Sequence, residues 1–156
     1  MTGNELAQLL IESRLRLLQE AAEVPISRLS ERLSSEEWSV LEVLAHLVDV
    51  DYHWLSQALA MKSTPGYMFL HFDDDKWKAE HLAIRESPPE QILTDLDASH
   101  RSVVEPLLSI TEEELYRSGR HPRGIPYRVI DVFLRYLVHD LNHTQQIHDI
   151  RQRLKR

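Results

Sequence analysis

His139 and His143 stand four residues apart in the run Tyr136-Leu137-Val138-His139-Asp140-Leu141-Asn142-His143-Thr144. On a helix that spacing sets both imidazoles on one face, one turn apart, as a chelating pair requires. At about 100° per residue the two flank Val132 and Ile150 and lie next to Tyr136 and Ile147, at the edge of the arc turned toward a core. Asp140 and Thr144 fall in the same arc. Polar groups buried without partners are costly, so the cluster points either to a hydrogen-bonded network or to an ion. The chain has nine histidines and no cysteine, so a metal must rest on imidazole or carboxylate.

A third ligand is available upstream. His46, Asp49 and His53 share a stripe at the border of an apolar helix face. His46 and His53 are seven residues apart and point nearly the same way, so the helical wheel does not choose between them. His71, His81, His100, His121 and His148 stand singly in loops or on outer faces and are expected to be ordinary surface residues.

These side chains must be positioned by helices. Glu5 to Glu20 carries Leu6, Leu9, Leu10, Leu15, Leu17 and Leu18 mostly at three- and four-residue intervals. A second segment opens with Ser34-Ser35-Glu36-Glu37, read as a capping box, and runs to the Pro65-Gly66 turn. A third opens with Ser87-Pro88-Pro89-Glu90, again read as a capping box, with a kink or early end at Pro106. The fourth spans about Tyr127 to Leu154, and basic residues crowd its C-terminal end. Residues 21–33, 61–86 and 111–126 connect them, the last opening on a single turn at Thr111-Glu112-Glu113-Glu114. No run alternates over strand length. The expectation is an all-α four-helix bundle in a single domain, residues 1–156, with antiparallel helices and one long crossover connection. The first connection is short enough for antiparallel neighbours.

Composition narrows the function. The 156 residues carry 18 Lys+Arg against 25 Asp+Glu, a formal charge of −7, which argues against a nucleic-acid groove. Neither a secretory leader nor a membrane span is evident, so the expected location is cytoplasmic. Glycines are too few and scattered for a phosphate loop.

The run from Glu36 to Leu47, with Trp38 ahead of His46-Leu47, resembles the helix-two signature of the DinB/YfiT-like superfamily. The run Tyr136 to Ile147 is similar to that family's last-helix H-x-x-x-H followed by a Gln-Ile pair. Helix order and the lengths between the motifs agree over essentially the whole chain. The resemblance implies a divalent metal on His46, His139 and His143, commonly in a homodimer. Some members carry a further His after the last ligand, where this chain has Thr144, so catalytic roles are not carried over.

Three neutral imidazoles leave an ion with open positions for water, a thiol or a substrate oxygen. Zinc, nickel, iron and manganese are the metals considered. Asp49, one turn from His46, and Asp140, adjacent to His139, are the expected hydrogen-bond partners of the ligating rings. The resemblance implies a metalloenzyme acting on a small molecule, either thiol-dependent S-transferase-like with a low-molecular-weight thiol or a metal-dependent hydrolase. A non-enzymatic metal-binding or interaction module is the alternative. A homodimer is also expected because the apolar residues of helix two cover more of its wheel than one seam uses. The aromatic-rich 61–86 connection could cover them instead.

Overall fold

The computed structural model describes residues 1–80 and 87–155. In chain order it contains α1 (Gly3–Ala22), α2 (Val40–Ser63), α3 (Asp74–Glu80), α4 (Pro89–Leu107), α5 (Glu112–Leu115), β1 (Ser118–Arg120), β2 (Pro126–Arg128) and α6 (Val129–Leu154). The long helices α1, α2, α4 and α6 form a four-helix bundle.

Helix starts follow local hydrogen-bonding capacity. Thr2 and Glu5 form a capping box on α1. On α2 the box is Ser39 with Glu42, not Ser34 with Glu37. Ser34 and Glu37 bond to each other in a turn ahead of the helix, at 2.9 Å. Glu42 is suited to the buried position because its carboxylate also receives both arms of Arg32, at 2.7 and 2.6 Å. The box expected at Ser87 and Glu90 does not form, and α4 starts at Pro89 with no side-chain cap. Pro88 takes the N-cap position, and its side chain has no acceptor to offer the first free amides of the helix. That helix ends at Leu107, just past Pro106. The fourth helix begins at Val129 rather than Tyr127, because Pro126–Arg128 pairs with Ser118–Arg120 in a hairpin, Gly119 opposite Tyr127. Three-residue strands are too short for alternation to show in the sequence. Gly124, at φ 74°, takes the left-handed position in the hairpin loop.

Contacts along the helices define the topology. Ser13 meets Asp140 and Glu20 meets His148, so α1 and α6 run parallel. Tyr136 bonds to the Asp51 carbonyl while His46 lies against His139, so α2 runs against α6. Gly3 lets α1 close on the end of α4, where a Cβ would sit 2.1 Å from the Leu107 carbonyl oxygen. The packed pairs are α1/α6, α1/α4, α2/α4 and α2/α6. Consequently α1 and α2 run antiparallel but lie across the diagonal, not side by side as their short connection suggested. The long crossover is residues 64–88, which join α2 to a parallel α4.

Two apolar clusters fill the bundle, one around Leu6, Leu10, Trp54 and Phe133, the other around Leu17, Leu41, Leu44 and Ile147. A charged layer separates them. Arg14, 2% exposed, reaches Asp51 at 2.9 and 3.0 Å and Asp140 at 3.1 Å through two nitrogens. Ser99 donates to Asp51 at 2.7 Å, and Ser13 to Asp140 at 3.2 Å. The first half of the apolar arc of α2 is buried within the chain, in one cluster with Leu29, Leu33, Trp38, Phe72 and Trp77, whereas Leu59 near its end is 37% exposed. Among the described residues, no helix is long and apolar enough to cross a membrane.

Candidate metal centre

The antiparallel contact of α2 with α6 brings His46 against His139 and His143. The Nε2 atoms of His46 and His139 are 3.3 Å apart, and those of His139 and His143 2.9 Å. Three nitrogens arranged tetrahedrally at about 2.0–2.1 Å from one ion are separated by about 3.3–3.4 Å, close to this spacing. Among the described residues, this is the one cluster of three or more His, Cys, Asp or Glu side chains able to share an ion.

Aromatic rings build the pocket wall. Trp38, Trp77 and Phe72 pack against His46 with ring centroids at 4.9, 5.3 and 5.5 Å, and Trp54 lies 4.8 Å from His139. Burial, reinforced by the neighbouring imidazoles, pushes His46 down to about 3 and His139 down to about 2. Burial lowers His143 as well. All three rings are therefore neutral at physiological pH and keep a lone pair for a cation. His143 donates its Nδ1–H to Gln146 Oε1 at 2.7 Å, which assigns its Nε2 as the free lone pair.

The expected carboxylate partners are placed differently from one another. The Asp140 carboxylate turns to Arg14 and Ser13 in the charged layer, because the lone pairs of a buried carboxylate go to the buried cation. Asp49 accepts the indole N–H of Trp77, the ring that walls His46. Gln146 lies within the last-helix motif, where nothing local marks it as the partner of His143. Asp74, at the start of α3, places Oδ1 3.7 Å from His46 Nε2. Nothing in its sequence position marks it, because only the crossover brings it there.

His53 stands apart from the cluster, its Nε2–H donating to the Leu70 carbonyl at 2.8 Å. Of the histidines expected at the surface, His71 is exposed, but His121 is buried beneath Phe69 and Tyr127. The hairpin folds it inward. His100 is half-buried and pushed down to about 4, chiefly by burial. His148 is half-buried and bonds Glu20 at 2.7 Å. His81 lies outside the described residues.

Two cavities adjoin the histidines. One, of about 610 Å³, is lined by Trp54, His71, Phe72, Tyr127, Arg135 and His139 among others. The second, of about 820 Å³, is lined by Trp38, His46, His143, Gln146, Ile150 and Arg153 among others. Asp74, His139 and Asn142 border both.

The fold has close structural counterparts. YfiT from Bacillus subtilis, described as a probable metal-dependent hydrolase with an unusual four-helix bundle topology, superposes with a TM-score of 0.81 at 19% identity, over 98% of this chain and 87% of that one. A mycothiol-dependent maleylpyruvate isomerase matches with a TM-score of 0.74 at 11% identity, over 94% of this chain and 61% of that one. The four-helix bundle protein TT2238 matches at 0.64 and 18% identity, over 95% and 99% of the two chains. Among curated proteins, none matches by sequence. The family model of the DinB superfamily matches residues 8–147, nearly the whole bundle and both histidine-bearing helices, and the chain belongs to that superfamily.

Proposed function

We propose that this chain is a metal-dependent enzyme in which His46, His139 and His143 hold a divalent ion, and that it uses a low-molecular-weight thiol in an S-transferase-like reaction. The observation carrying the metal is the convergence of three neutral Nε2 atoms in an aromatic-walled recess. Imidazole donors suit zinc, nickel or iron, and manganese is also admitted. When bound, such an ion supplies a Lewis acid that favours the deprotonated form of a thiol or water beside it. The protein's own groups do the rest. Gln146 fixes the His143 tautomer, Trp38 and Trp77 exclude water from His46, and Asp49 holds the Trp77 indole. Two cavities meeting at His139 favour a two-substrate transfer, with a thiol on one side and its acceptor on the other. The chain has no cysteine, so the thiol comes from a cosubstrate.

Hydrolysis is the second reading, favoured by Asp74. Its carboxylate, 3.7 Å from His46 Nε2, stands where it could accept a proton from an attacking water. The test starts with metal analysis of protein purified without chelator, followed by turnover assays. Saturable, metal-dependent alkylation of a small thiol by monobromobimane, lost in His139→Ala, supports transfer. Thiol-independent cleavage of an activated ester supports hydrolysis. Bound metal with neither activity would make the chain a binding module.

For assembly, we infer a homodimer through the outer face of α6. Leu134, Leu137, Val138 and Leu141 recur at i, i+3, i+4 and i+7 as a second apolar stripe, with Val138 59% and Leu141 68% exposed.

A further inference from the structure

α6 carries Arg135, His139 and His143 at four-residue intervals, so a guanidinium stands one turn before the first of the two histidines, about 6 Å along the axis. Arg135 lines the cavity of about 610 Å³ together with His139. Its guanidinium is held between two rings, 5.2 Å from the Trp54 centroid and 5.0 Å from that of Phe69. Nη1 donates to the Tyr127 hydroxyl at 3.3 Å. Nε is buried with no hydrogen-bond partner among the described residues. Asp131, one turn back on the same helix and also on the cavity wall, is taken by Arg128 at 2.8, 3.1 and 3.2 Å. Asp74 lies at the far border, by His46. Arg135 is thus a half-buried cation with no carboxylate paired to it among the described residues, although the chain has a charge of −7. His71, on the same wall, is lowered by burial and then by Arg135, His121 and Arg123, as expected where positive charge gathers. Cations left without a counter-ion inside a cavity are costly unless a ligand supplies one.

We propose that this cavity takes a small organic anion, its carboxylate clamped by Arg135 and its reactive end turned toward His46, His139 and His143. The specificity role of Arg135 deepens the metalloenzyme reading and rests on it for the reactive end only. Trp54 and Phe69 act as positioning residues that hold the guanidinium. A planar guanidinium offers parallel N–H groups that match the two oxygens of a carboxylate. The single turn between Arg135 and His139 selects a short acid, with only a few bonds between its carboxylate and its reacting atom.

The experiment pairs an acid with its neutral isostere in two settings. In the metal-free protein, propionate and propionamide are titrated while the Arg135 Nε–H resonance is followed by NMR. In cobalt-loaded protein, 3-mercaptopropionate and 3-mercaptopropionamide are titrated while the thiolate–cobalt absorption is followed. Wild-type protein is expected to prefer each acid by about tenfold or more, as for a hydrogen bond to a charged group. Arg135→Gln should abolish the preference, whereas Arg135→Lys should keep part of it. Equal binding of acid and amide by the wild type overturns the proposal with no variant needed, and so does a preference that survives in a folded Arg135→Gln. Tighter binding of inorganic phosphate than of propionate also overturns it. If cobalt does not bind, the metal reading fails while the metal-free titration still decides the role of Arg135.

Discussion

At the residue scale, the decisive feature is that three imidazoles are kept neutral by burial rather than by a partner base. Each offers Nε2 inward, and at His143 a bond to Gln146 fixes that choice of nitrogen. Replacing His46, His139 or His143 with Ala is expected to abolish tight cobalt or zinc binding, while His53→Ala, which loses only the bond to the Leu70 carbonyl, should leave it intact. Metal titration with absorption detection separates these outcomes, and unchanged affinity in His139→Ala would sink the site. Gln146→Leu removes the partner of His143 and should weaken metal affinity by about 10- to 100-fold with the fold intact. The candidate ligands are legible in the chain only in part: the four-residue spacing of His139 and His143 is visible in the sequence, and His46 is what the resemblance implies. Gln146, Asp74 and Arg135 are not legible in the sequence, since an ordinary polar residue on a helix or in a loop has no local mark of what it will face.

At the element scale, the start of α2 decides where His46 points, because one residue of slip rotates a helical side chain by about 100°. Ser39 caps that start and Glu42 closes the box, with Arg32 bracing the carboxylate. Ser39→Ala is expected to cost about 1 kcal/mol, whereas Ser34→Ala, outside the helix, should stay within about 0.5 kcal/mol. Urea midpoints of the two variants check this, and equal costs would return the cap to Ser34. The charged layer locks all four long helices in register, α4 through Ser99. Arg14→Ala strands Asp51 and Asp140 and should destabilise the protein by about 3–5 kcal/mol. A loss below about 1 kcal/mol would show that the layer relaxes or hydrates. Arg14 interrupts the apolar stripe of Leu6, Leu10 and Leu17, a signal that could have been read with Asp140 from the sequence.

At the scale of the whole molecule, burial of neutral histidines links folding to pH. An unfolded His titrates near about 6.5, while folded His46, His139 and His100 remain neutral down to about 3, about 2 and about 4. Between these limits the unfolded state binds more protons than the native one, so stability is fully present above about pH 6.5 and falls as pH falls. The melting temperature of metal-free protein should therefore drop between pH 6.5 and 5, above the range where most carboxylates titrate. A flat profile there would contradict the burial of these rings. Assembly is tested separately: wild type should scatter light as a dimer, and Leu141→Glu with Val138→Glu should give a folded monomer. A wild-type mass of one chain, unchanged on concentration, would remove the α6 interface.

Helical periodicity and the spacing of His139 and His143 belong to the sequence itself, because a repeat near 3.6 residues and a four-residue interval are local properties of one helix. They determined a helical bundle and two of the three clustered histidines. Tertiary structure alone decided that α1 and α2 lie across the diagonal, that the crossover brings Asp74 and Trp77 to His46, and that Asp140 serves Arg14. Each is a contact between residues far apart in the chain, set by which helix faces which in the packed bundle. The same packing sets Phe72 and Trp77 of the 61–86 connection in one cluster with the first half of the apolar arc of α2, which the sequence left open between a partner and that connection. It also leaves Arg135 facing a cavity beside His139 with no acid of its own among the described residues.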